Sequence, residues 1–226
     1  MKTKFLTIKR NRLVKIWFVL CVFVIVLSIV FRTYAYRLKK ENEEKVVQLY
    51  SEFLEGKVKI GDESIYDIII PTGEPDRRYH TEYTILDSNG DSVPELHIRN
   101  AHRYLIYSCK EDELFALKGF FSDPWYYNLL DDGTILFMSE IGNTMGDYFY
   151  HFRLDMSGNI TDELRFYWND INENCNIDRE DEYVVDGETC NMQEWYEKTK
   201  AYIYMDNKGR NQICNQAEWN VLCDER

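Results

Sequence analysis

The stretch Asp87-Ser88-Asn89-Gly90-Asp91-Ser92-Val93-Pro94-Glu95 gathers the residue types that bind a hard cation. Side-chain oxygens stand at every second position, at Asp87, Asn89 and Asp91. The Val93 carbonyl and the Glu95 carboxylate continue the series. Ca2+ takes six to eight oxygens at about 2.4 Å, and alternation lets a short loop turn its donors inward. The glycine at the sixth position and the glutamate at the twelfth that an EF-hand requires are missing. A second reading is a hairpin turn in which the same Asp and Asn side chains accept backbone amides. Carboxylates crowded into one loop repel unless a cation or protons offset them, so both readings stand.

Other chemistry is weakly signalled. The chain has no Gly-x-Ser-x-Gly, no HExxH and no phosphate-cradling glycine loop. His80, His97, His102 and His151 are scattered without zinc-ligand spacing, and their combination with Cys109 is ordinary composition. Asp131, Asp132 and Glu140 flank one hairpin and read as solvated carboxylates rather than a glycosidase pair. Trp125, Tyr126, Tyr127, Tyr148 and Tyr150 supply faces that stack on sugars or anchor protein interfaces, with one or two expected at the surface. Cysteines 109, 175, 190, 214 and 223 lie outside the apolar run described next. Cys175 with Cys190 and Cys214 with Cys223 are the pairs nearest in sequence, beside the alternative of reduced core thiols.

The elements that hold these residues begin with Ile16 to Phe31, IWFVLCVFVIVLSIVF. With Leu13, Val14 and a Lys15 that can snorkel, this is about 28 Å of helix at 1.5 Å per residue, close to the hydrocarbon thickness of a bilayer. Residues 13–31 are therefore predicted to cross the lipid bilayer. A cleavable signal peptide ending at Thr33-Tyr34-Ala35 is the alternative. Of 27 basic residues, eight lie in the first 37 positions, which hold no acid; the other 19 accompany all 39 acidic residues. Positive charge resists translocation, so the basic tail of residues 1–12 is expected in the cytoplasm and the acidic remainder outside. An acidic exterior also disfavours nucleic acid, which phosphates would repel.

Beyond the span, Val46, Val47, Tyr50, Phe53 and Leu54 form one apolar helical stripe that predicts docking on the following domain. From His80 the hydrophobic period falls to two, predicting strands at Thr81 to Asp87, Glu95 to Asn100, Tyr104 to Cys109, Leu114 to Phe121, Tyr126 to Leu130, Thr134 to Ser139, Tyr148 to Leu154 and Asp162 to Trp168. Asn89-Gly90, Asp132-Gly133 and Ser157-Gly158 mark tight turns between them. Gln193 to Tyr202 reads as a short helix after the turn Asp186-Gly187, and a last strand is expected around Gln212.

With its loop set between two strands, Asp87 to Glu95 resembles the nine-residue calcium loops of FG-GAP repeats in integrin-like propellers, although Ser92 stands where those loops usually carry Gly. The wider pattern, Tyr83 to Leu96 following the helix end Glu52-Phe53-Leu54, looks like a group of uncharacterised exported or membrane-anchored proteins of Gram-positive bacteria. That resemblance implies Ca2+ at Asp87, Asn89, Asp91, Val93 and Glu95 and names no activity.

The fold class expected is α+β: a basic tail (1–12), a transmembrane helix (13–31), a juxtamembrane amphipathic helix (32–57) and an acidic extracellular antiparallel meander (58–226), propeller-like or sandwich, with a short C-terminal helix. The function expected is a single-pass anchored binding or structural module meeting an extracellular protein or carbohydrate. An anchored hydrolase of cell-wall or other polymer is the alternative, and convergent carboxylates beside Asp91 or Glu95 would favour it.

Overall fold

The computed structural model describes residues 2–69, 80–121, 126–140, 146–171, 177–206 and 211–222. The chain divides into two compact units, Met1–Lys45 and Val46–Arg226. One helix, α1 (Lys2–Leu54), occupies the N-terminal region and carries both the apolar run and the docking stripe. No glycine or proline occurs before Gly56. The polar run between the apolar run and the stripe is helix-forming: Lys39–Glu43 and Lys40–Glu44 pair at 3.7 and 3.6 Å one turn apart. Gly56, at φ +72°, ends the helix in a Schellman turn, its amide donating to Phe53 and that of Lys57 to Glu52.

In the first unit a helical window of mean hydropathy 2.2 has none of its surface buried. It is long and apolar enough to cross a membrane.

The second unit is built on antiparallel strands: β1 (Thr81–Leu86), β2 (Glu95–Arg99), β3 (Tyr104–Lys110), β4 (Glu113–Phe120), β5 (Tyr127–Leu129), β6 (Ile135–Glu140), β7 (Gly146–Leu154), β8 (Ile160–Asn169), β9 (Glu182–Val185), β10 (Glu188–Cys190), β11 (Ile203–Met205), β12 (Asn211–Ile213) and β13 (Asn220–Leu222), with helix α2 (Met192–Thr199) after β10. The strand order is β13-β1-β2-β3-β4 in the first sheet and β10-β9-β8-β7-β6-β5 in the second; β11 and β12 form a separate hairpin. Neither sheet closes into a barrel.

Side-chain alternation sorts the core into three clusters. Leu96, Ile98, Leu105 and Tyr107, on one face of the first sheet, pack with Val46, Tyr50 and Phe53 of α1, as the helical stripe predicts. Tyr104 and Ile106, on its other face, join Leu129, Ile135, Phe152 and Leu154 of the second sheet, so the two sheets stack as a sandwich. The far face of the second sheet presents Leu136, Phe149, Phe166 and Tyr183 to Trp195 of α2. Trp195 is fully buried, its ring centroid 5.6 Å from Tyr183 and 5.9 Å from Phe166. A capping box starts α2, with Asn191 Oδ1 accepting the Glu194 amide at 3.0 Å.

Candidate functional site

Between β1 and β2 the predicted cation loop closes on its own amides. Asp87 accepts from the amides of Gly90 at 2.7 Å and Ser92 at 2.9 Å. Asn89 Oδ1 accepts from Asp91 N at 2.9 Å, and Asp91 Oδ1 from Val93 N at 2.7 Å. Gly90 and Ser92 both take positive φ, 79° and 72°, which folds the short loop back on itself. Glu95 draws its donors from both the loop and β3. It is fully buried and accepts the Ser88 amide at 2.8 Å, the Ser88 hydroxyl at 3.1 Å, Asn89 Nδ2 at 2.9 Å and the Ser108 hydroxyl at 3.2 Å. Burial, with the nearby Asp91 charge adding to it and the Ser88 bonds opposing, pushes the Glu95 carboxyl up to about 7.

Asp87, Asn89, Asp91 and Val93 thus share one loop, and Glu95 holds Ser88 and Asn89 of that loop and ties it to Ser108 of β3. Among the described residues no three Asp, Glu, His or Cys side chains stand close enough to hold a metal ion. The loop abuts the second sheet: the space a Cβ on Gly133 would take is filled by the Asp87 carbonyl at 2.1 Å, and a Cβ on Gly90 would lie 3.4 Å from Arg153 Nη1.

The helix end is bolted to the same region. The Tyr50 hydroxyl lies 2.9 Å from the Pro94 carbonyl and 3.3 Å from that of Tyr107. The Tyr107 hydroxyl donates to Glu63 at 2.9 Å, and Glu63 pairs with Arg103 at 2.6 Å.

A different surface carries the aromatic chemistry. On the face of the second sheet that stacks on the first, the register places Ser139 opposite Tyr148, Tyr148 opposite Tyr167, and Tyr167 opposite Val184, one row across β6 to β9. Tyr148 and Tyr167 are half-buried. They wall two hollows: one of about 520 Å³ with Glu163, Arg165, Val184, Asp186 and Gly187, another of about 460 Å³ with Asn169 and Glu182. Arg165 lies 5.0 Å over the Tyr150 ring and pairs with Glu163 at 3.0 Å.

Of the aromatic candidates read from the sequence, Tyr126 is exposed, Tyr127 stacks on Phe120 at 4.3 Å, Tyr148 and Tyr150 belong to this face, and Trp125 lies outside the described residues. Tyr167, Arg165 and Glu182 were not singled out. The signal for them was the pair Asp186-Gly187 between Val184-Val185 and Glu188-Thr189, a two-residue hairpin that adds β9 and β10 beside β8.

His97 and Cys109 occupy opposite faces of the first sheet: His97 is buried with Nδ1 2.8 Å from the Tyr104 hydroxyl, while Cys109 packs on the helix side. Asp132 accepts the amide and hydroxyl of Thr134 at 2.9 and 2.6 Å. Cys175 and Cys223, the expected disulfide partners of Cys190 and Cys214, lie outside the described residues. No family model, curated protein or solved structure matches this chain.

Proposed function

We propose that the chain is a single-pass anchored binding module, its N-terminus cytoplasmic and its acidic β domain displayed outside the cell. The observation that carries this reading is the apolar window of α1, uncovered by any part of the chain and followed by a β domain with its own closed core. The basic residues before the window supply the orientation, since they resist translocation. The row at Tyr148 and Tyr167 offers an aromatic surface flanked by hollows that a ligand could fill. Within this reading the 87–95 loop is a brace between the sheets. Ca2+, taken by Asp87, Asn89, Asp91 and the Val93 carbonyl, would strengthen the brace and take part in no reaction.

Epitope tags at residues 1 and 226 in intact cells test the orientation. External protease should remove the C-terminal tag and spare the N-terminal one until the membrane is permeabilised. The reverse pattern would refute the proposed topology, and release of the full β domain into the medium would replace the anchor by a cleaved signal peptide.

A further inference from the structure

We infer that the open row at Tyr148 and Tyr167 is a cleft for a neutral polysaccharide chain; the inference rests on the binding-module reading and gives it a ligand class. The two tyrosines form a ridge with a hollow on either side, a shape that suits an extended ligand with repeating rings rather than one compact molecule. At about 4.8 Å between strands, the row from Ser139 to Val184 covers roughly 14 Å. A pyranose presents a C–H face that stacks on an aromatic ring and a rim of hydroxyls that need polar partners. Both kinds of partner flank the ridge: carboxylates at Glu163, Asp186 and Glu182 to accept hydroxyl hydrogens, and Arg165 and Asn169 to donate.

Charge narrows the class further. Three carboxylates stand beside one arginine, which already pairs with Glu163 at 3.0 Å, so uronic-acid and phosphate-bearing polymers would be repelled. An extended peptide could not join the sheet here, because β7 and β8 each have neighbours on both edges and offer no free ladder.

The test is calorimetric titration of the full chain in detergent micelles with neutral glucose, mannose and N-acetylglucosamine oligosaccharides of increasing length, beside oligolysine and polygalacturonate. At least one neutral series should bind, gaining affinity as the chain grows beyond two units, while polygalacturonate stays silent. Tyr148→Ala and Tyr167→Ala should each weaken binding about tenfold, the scale of one lost ring contact. Tyr148→Phe, which keeps the ring, should bind within a few-fold of wild type. Asn169→Ala, off the ridge, covers the case in which an alanine at a tyrosine lowers the melting temperature. Silence of every neutral series, or affinity unchanged in all the alanine variants, overturns the inference. Oligolysine binding with the sugars silent also overturns it and assigns the cleft to a cationic chain, leaving the module intact. The tag experiment alone decides the exterior location.

Discussion

Glu95 ties the loop it follows to the neighbouring strand. Five oxygens at alternating spacing suit a calcium shell, yet the strand that begins at Glu95 turns its carboxylate inward, where Ser88, Asn89 and Ser108 supply four donors. The remaining loop oxygens take the loop's own amides. Because those bonds form without a cation, Asp91→Ala should cost about 1 kcal/mol in calcium-free buffer by losing the Val93 amide's acceptor. Ca2+ at a hundred times its dissociation constant would add about 2.7 kcal/mol to the wild type, a rise of several degrees. Melting curves of both proteins with and without Ca2+ at constant ionic strength separate these contributions. A calcium-dependent rise confined to the wild type would make the loop a cation-braced site, and its absence leaves a turn closed by amides.

At the scale of elements, period and punctuation carried most of the fold. Eight strands fall within two residues of where alternation places them, and the stripe Val46, Tyr50 and Phe53 docks as its spacing requires. The charged run between the apolar run and the stripe does not interrupt α1, because its pairs at four-residue spacing favour helix. Strands β9 and β10 were hidden because four and three residues are too few to display a period. The cleft was hidden for a related reason: its row crosses four strands, and cross-strand register cannot be read along a chain. Turns were legible as turns but not in what they touch. Gly133 and Gly187 both have φ +82°, yet a Cβ at Gly133 would meet the Asp87 carbonyl at 2.1 Å and Ser88 Cα at 3.0 Å, while nothing lies within 4 Å at Gly187. Gly187→Ala should therefore cost only the left-handed strain of about 1 to 2 kcal/mol. Gly133→Ala should cost at least twice as much, because backbone atoms cannot step aside. Paired thermal melts check the difference, and equal losses would mean that the β5–β6 hairpin does not press on the loop.

For the whole molecule, two buried groups of opposite sign shape the dependence of stability on pH. Glu95 has its folded pKa raised to about 7, so the folded state holds a proton the unfolded state has released. Its contribution is fully present below about 4.5 and is lost as pH rises through 7, by about 3 kcal/mol from a shift of that size. His97 runs the other way. Complete burial pushes its pKa down to about 3, so its contribution is present above about 6.5 and is lost as pH falls towards 3. Between about pH 4.5 and 6.5 the two slopes oppose each other, and the wild type should show a flattened stability profile. Glu95→Ala removes one slope and strands the donors of Ser88 and Asn89, a cost of about 1 to 3 kcal/mol that does not vary with pH. The variant should therefore be clearly less stable near pH 4.5, and its stability should climb with pH where the wild type's is level. The gap between them should narrow by about 3 kcal/mol from pH 4.5 to beyond 7, as linkage at this one carboxyl requires. Chemical denaturation of both proteins at closely spaced pH values reads that gap directly. A constant gap would mean that Glu95 titrates in the folded protein as it does in the unfolded chain, and that its four donors hold it charged in spite of its burial.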